Sequence, residues 1–180
     1  MLRLITLSFI SALLVSCGGP KNELIVPRPL SSDIGNAKEK EMLSLIRGHP
    51  RQKRKEMITD PRLSAAARAK ARDMGKRGYF GHEDPEGTGA NYSVAATGYK
   101  LPVTYMAFKS SNQLESLAAG NATAKATLAQ WIESWTHESQ VLALAPYFRE
   151  QTRCGVGYAN VPGSPHIHYW VFIAAPPSRE

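Results

Sequence analysis

The chain has little cysteine: Cys17 and Cys154 are its two thiols among 180 residues. Such a count cannot supply the disulfide framework that holds many small secreted domains together, so stability must come from a packed core. Long apolar runs are also missing. The stretch from Leu4 to Val15 falls short of the roughly 20 residues that cross a bilayer as a helix. No His-Glu-x-x-His occurs, which excludes the zincin arrangement, and no Gly-x-Ser-x-Gly elbow supports a serine nucleophile. Internal repeats and low-complexity tracts are absent. What remains is ordinary globular composition, 43% hydrophobic against 21% charged, at a length that suits one domain.

The amino-terminal end carries its own signals. Met1-Leu2-Arg3 followed by the short apolar run reads as a secretory signal over residues 1–16. Leu14-Val15-Ser16-Cys17 resembles a bacterial lipobox, which implies cleavage before Cys17 and lipidation of that residue. Residues 17–37, bearing Pro and Ser with little periodicity, then serve as a tether, and residues 38–180 form the domain. The expected location is across the inner membrane and anchored to the cell envelope, with the outer membrane as one candidate because Gly18 follows the cysteine. After cleavage and lipidation Cys154 would be the only thiol left, so no intramolecular disulfide is expected.

The formal charge of +7 gathers in two places. Arg47, Arg51, Lys53, Arg54 and Lys55 form one cluster, and Arg68, Lys70, Arg72, Lys76 and Arg77 lie on a predicted helix. Basic clusters attract polyanions; on a secreted protein these are anionic lipid or envelope polymers, not nucleic acid. A solvated surface without a specific partner is the simpler account.

Asp60-Pro61 marks a helix start, because the Asp carboxylate accepts from the first free amides and proline tolerates the opening position. Leu63, Ala66, Ala67, Ala71 and Met74 recur at helical spacing, and Gly78 supplies the left-handed stop. A weaker helix precedes this one at Glu41 to Arg47. Another short one is expected from Asn91 to Thr97, closed by Gly98. Val103 to Phe108 reads as a strand from its branched and aromatic residues. Thr123 caps a helix running to about Trp135, with Leu128, Trp131, Ile132 and Trp135 as its apolar stripe. Cys154 to Asn160 and His168 to Ala174 read as paired strands. Helices with interleaved strands and a terminal hairpin predict an α+β domain.

Three stretches in order carry the chemistry: Tyr79-Phe80-Gly81-His82, Gln113-Leu114-Glu115-Ser116-Leu117-Ala118, and Trp131-Ile132-Glu133-Ser134-Trp135-Thr136-His137. Together with Gly155-Val156-Gly157-Tyr158-Ala159 and Tyr169-Trp170-Val171, they give a chain that resembles the bacterial branch of the CAP superfamily, from about Glu41 to Ala175. That superfamily groups cysteine-rich secretory proteins, antigen 5 and plant pathogenesis-related proteins. The resemblance implies an α-β-α sandwich with a central antiparallel sheet. It also implies a cavity lined by two histidines, matched by His82 and His137, and by a glutamate, matched by Glu115, that can hold a divalent metal such as zinc. Ser116 stands in place of the usual Asn, and Ser134 in place of the second acid. Glu133 is one position off, a rotation of about 100° on a helix, and is expected to point away from His137 unless the helix ends early.

Two readings of the triad stay open: a metal site, or a buried hydrogen-bonded cluster that holds the loops closed. His166 and His168 alternate and would share a strand face, but they read better as solvated turn residues. Cys154 reads as packing rather than nucleophile. The expected protein is thus a lipid-anchored ligand-binding or interaction module meeting lipid, anionic polymer or a host protein. The alternative is a metal-assisted hydrolase of peptide or envelope material, with Glu115 as general base. Members of the superfamily have been associated with sterol or lipid binding, host interaction and proteolysis.

Overall fold

A computed structural model describes residues 37–178. The signal segment, Cys17 and almost all of the tether lie outside the described residues. In chain order the elements are α1 (Ala37–Arg47), β1 (Ile58–Thr59), α2 (Pro61–Arg77), α3 (Ala90–Ala95), a 3-10 turn (Val103–Met106), β2 (Glu115–Ala119), α4 (Ala124–Glu133), α5 (Trp135–Val141), α6 (Pro146–Arg149), β3 (Arg153–Asn160) and β4 (His168–Ala175). None of the described helices is long and apolar enough to cross a membrane.

The sheet has the order β1-β3-β4-β2. The β3-β4-β2 part is antiparallel, and β1 adds a two-residue parallel pairing, Ile58 to Arg153 and Thr59 to Cys154. Alternation along β4 explains why the run Tyr169 to Ala175 is apolar throughout. Tyr169, Val171, Ile173 and Ala175 pack into one cluster with Leu63, Ala67, Ala71 and Met74 of α2. Trp170, Phe172 and Ala174 face the opposite cluster, with Met42, Ile46, Leu128 and Trp131 from α1 and α4. A strand covered on both faces has no polar side to show, because successive side chains leave a strand in opposite directions. Helices therefore cover both sides of the sheet, giving the α-β-α arrangement of an α+β domain.

α2 is built as its sequence predicts. Asp60, with extended backbone, accepts from the Arg62 amide at 2.8 Å, Pro61 opens the helix, and Gly78 closes it at φ 70°. Tyr79 and Gly78 both donate their amides to the Met74 carbonyl, so the chain leaves the helix in a fixed direction. The helix sits on β3 with no side chain between them at two points. A Cβ on Gly155 would fall on the Leu63–Ser64 backbone, and one on Gly157 on the Ala67–Arg68 backbone. On the other edge of β3, the Tyr158 amide donates to Glu39 Oε1 at 3.1 Å, and the same carboxylate takes the Arg68 guanidinium at 2.7 Å. This buried pair ties α1 to α2.

Several local expectations are corrected. Val103–Met106 is a 3-10 turn rather than a strand: Pro102 starts it, the Tyr105 amide returns to the Pro102 carbonyl at 2.9 Å, and Tyr105 is the residue it buries. The helix expected to reach Trp135 ends at Glu133, where Ser134 is extended at φ −101° and ψ 114°. Trp135 consequently starts a new helix and is 76% exposed instead of joining the Trp131 stripe.

The basic clusters are partly internal. Arg54 is buried and donates to the carbonyls of Gln151 at 2.8 Å, Val141 at 2.7 Å and Gln140 at 2.7 Å. Burial pulls its guanidinium down to about 10. Arg68 and Lys70 are also buried. Counting them as surface charge missed the carbonyls and carboxylates that satisfy them inside.

Candidate functional site

His82 is delivered by the α2 stop. After Gly78 the loop is held by Tyr79, whose hydroxyl donates to Asp73 at 2.6 Å, and by Lys70, whose ammonium donates to the His82 carbonyl at 3.0 Å. Burial lowers the Lys70 pKa, and the nearby charges of Glu115, Asp84 and Asp73 oppose that. Beyond His82, Asp84 accepts from the amides of Glu86 at 3.0 Å and Thr88 at 2.7 Å, closing an Asx turn.

Glu115 opens β2 opposite Ile173, and its side chain is 1% exposed. Its Oε1 lies 3.0 Å from His82 Nδ1. Asn112 holds this corner. Its Oδ1 accepts from the amides of Leu114 at 3.3 Å and Glu115 at 3.0 Å. That fixes its Nδ2 toward the Glu115 carbonyl at 3.3 Å and His82 Nδ1 at 2.8 Å. With both contacts on Nδ1, the second ring nitrogen of His82 has no hydrogen bond among the described residues. Nδ1 cannot at once donate to Glu115 and accept from Asn112. In the tautomer whose Nδ1–H goes to the carboxylate, Asn112 makes no hydrogen bond to the ring and the lone pair lies on Nε2, the form of imidazole that ligates or accepts.

His137 lies in the first turns of α5. That helix is clamped to the start of β2 by Gln140, whose Nε2 donates to the Leu114 carbonyl at 2.7 Å and whose Oε1 accepts from the Ser116 hydroxyl. His137 is half-buried and has no hydrogen-bond partner among the described residues. Burial first, and the charge of His82 second, lower its pKa.

His82, Glu115 and His137 thus line one cleft of about 200 Å³, together with Asn112, Gln113, Ser116, Thr136, Gln140 and Phe148. Glu133 is exposed at the end of α4 and does not line it. Because α4 ends there, the early break that would have turned Glu133 inward does occur, yet the extended Ser134 leaves Glu133 outside. Glu138 is buried but turns to Arg51.

The donor set bears on the implied metal. Glu115 orients His82 rather than offering an oxygen beside it, and among the described residues no group of three His, Cys, Asp or Glu side chains is set to hold an ion. Two imidazoles with a committed carboxylate beside them fall short of a three-ligand protein cage among the described residues.

The remaining sequence candidates lie elsewhere. His166 is exposed in the hairpin turn, edge-on to Phe80 at 5.6 Å, whereas His168 Nδ1 meets the Tyr158 hydroxyl at 2.8 Å. They have different surroundings and no common ligand. Cys154 is buried, and burial raises its thiol pKa. Sequence reasoning overlooked Asn112, Gln140 and Phe148. For Asn112 a signal existed, since an Asn two or three residues before a strand start often turns its side chain onto the following amides.

A family model, the cysteine-rich secretory protein family (CAP), matches residues 46–173. None of the curated proteins matches the chain. Among solved structures, an outer surface protein from Borrelia burgdorferi is similar at TM-score 0.55 and 16% identity, over 78% of this chain and 90% of that one. An extracellular protein containing an SCP domain from Bacillus anthracis is similar at TM-score 0.56 and 21% identity. That match covers 81% of this chain but 44% of the Bacillus protein, so the chain spans less than half of that relative. At these identities the two structures speak for the fold alone.

Proposed function

The chain belongs to the cysteine-rich secretory protein (CAP) family, and from that premise we propose that it is an extracytoplasmic module, anchored through lipidated Cys17, that binds a ligand in the cleft of His82, Glu115 and His137. The observation that carries this reading is the division of labour in the cleft. A buried carboxylate holds His82 by Nδ1, and Nε2 of His82 and both nitrogens of His137 are left without partners beside it. Nitrogens so placed in a solvent-open cleft are free to exchange water for a ligand from outside.

A divalent ion, zinc above all, is one occupant: His82 Nε2 and His137 would hold it. When bound, it would supply a Lewis acid for an oxygen of the ligand. The hydrolase reading asks Glu115 to act as general base. Its oxygen is committed to His82 and its side chain is shut from solvent, while a base must reach the proton it takes. Binding is therefore preferred to hydrolysis. The location is supported by Leu14-Val15-Ser16-Cys17 and by relatives described as extracellular or outer-surface proteins. Arg51, Lys53 and Lys55 remain exposed for anionic lipid or envelope polymer.

Zinc titration of the full chain tests the cleft. His82→Ala and His137→Ala should each weaken binding by about tenfold or more, and Glu133→Ala should leave it unchanged. A wild-type protein that takes up no zinc removes the metal from the proposal. Detergent-phase partitioning tests the anchor: Cys17→Ser should abolish it, and a variant that still partitions would sink the lipid reading.

A further inference from the structure

The lining of the cleft narrows the chemistry of its ligand, and this step rests on the binding reading above. Eight of the nine lining residues are polar or ionisable, the exception is Phe148, and no aliphatic side chain takes part. The apolar surface the cleft exposes is too small to cover a lipid tail or sterol. Nor does any Lys or Arg line the cleft, so an anionic ligand would meet no fixed cation. The one carboxylate is buried against His82.

An extended peptide is disfavoured for a separate reason. Peptides commonly bind by adding a strand to a free sheet edge, and the outer edge of β2 is already occupied. Asn112 takes both the amide and the carbonyl of Glu115, and Trp131 Nε1 donates to the Leu117 carbonyl at 2.8 Å.

What the cleft does present is spare hydrogen-bonding capacity beside flat aromatic surface. His82 Nε2, both His137 nitrogens and Gln113 Nε2 have no hydrogen-bond partner among the described residues. Phe148 is in the wall, 5.4 Å from Tyr147, and Tyr147 stacks at 5.9 Å and 18° on Tyr105. Tyr147 is 47% exposed and lies beside Phe148, just outside the cleft lining. Arg149 steadies this helix by donating to the Leu144 carbonyl at 2.9 Å.

We infer that the cleft takes one ring of an uncharged glycan. A sugar ring has hydroxyls for imidazole and amide groups and a C–H face for an aromatic ring, which is the combination offered here. The cleft volume of about 200 Å³ is below the roughly 300–1,000 Å³ of drug-sized pockets. It suits a single ring, with the next sugar lying over Tyr147.

Saturation-transfer NMR and calorimetry on the full chain, with a chelator present, test this. The probes are the N-acetylglucosamine trimer and cellotriose, beside a neutral acetylated tripeptide and phosphatidylglycerol vesicles. At least one glycan should bind at about 1 mM or tighter. Tyr147→Ala, which alters a half-exposed ring, should weaken it by about fivefold or more, and His137→Ala likewise. Zinc affinity of Tyr147→Ala should stay at the wild-type value, which separates this proposal from the metal one. No transfer from either glycan, binding indifferent to Tyr147→Ala, or tighter capture of the tripeptide or the vesicles through the same residues would each overturn it.

Discussion

α2 and α5 both lie against the central sheet, yet they are attached in different ways. α2 meets β3 backbone to backbone, because Gly155 and Gly157 leave no side chain in the way, and the contact is apolar around them. α5 buries Val141 at its end in the apolar cluster with Trp131 and Phe172, but polar groups tie it to the start of β2. Gln140 bonds the Leu114 carbonyl and Ser116, and Arg54 caps the carbonyls of Gln140 and Val141 at the end of the helix. Close packing leaves no room for a ligand, since interiors are filled to crystal-like density. A hydrogen-bonded attachment can hold a helix while leaving a cleft beside it, and it is α5 that carries His137. The scaffold and the site therefore answer to different physics.

That contrast can be broken by substitution, the largest effect first. Gly157→Val puts branched carbons into the α2 backbone and should cost about 3 kcal/mol or more, the upper end of overpacking. Chemical denaturation should show it, and a loss under about 1 kcal/mol would mean that α2 can move off β3 with ease. Arg54→Met should cost about 2 kcal/mol, because buried carbonyls lose a charged donor. Proteolysis or hydrogen exchange should find the loss in α5 before the rest of the domain, and uniform loosening would deny that Arg54 acts on that helix.

A pH effect sharpens the comparison. The His137 pKa is lowered from 6.5 by burial, so below that value the unfolded chain binds the proton more readily than the folded one. Stability should fall as pH drops through this window and be unaffected above it. In the presence of a chelator, His137→Gln should flatten that acid limb; an unchanged limb would assign it to other groups. The smallest effect is expected at Trp135. Its exposure predicts that Trp135→Ser stays within about 0.5 kcal/mol of the parent in denaturation, although Trp131, four residues earlier, is wholly buried.

Much of the scaffold was legible in the chain. The bounds of α2 follow from Asp60, Pro61 and Gly78, which act on groups within a turn of themselves. The β3–β4 hairpin follows from its apolar runs, and the order of the His82, Glu115 and His137 stretches is a property of the sequence. The 3-10 turn at Val103–Met106 was not legible, because branched residues suit a strand only where a neighbouring strand exists to pair with them. The exposure of Trp135 turns on one extended residue, Ser134, which no apolar periodicity announces.

The sequence by itself determined where the main helix starts and stops, which strands pair at the end of the chain, and which side chains are chemically able to act. Only the tertiary structure decided how those side chains are committed: Glu115 to His82 Nδ1 across 33 positions, Arg54 to carbonyls more than 80 positions away, and Glu133 to solvent. The physical reason is range. Caps, turns and periodicity act within one or two turns of backbone, whereas a buried polar group takes whichever partner the packed sheet and helices bring within about 3 Å.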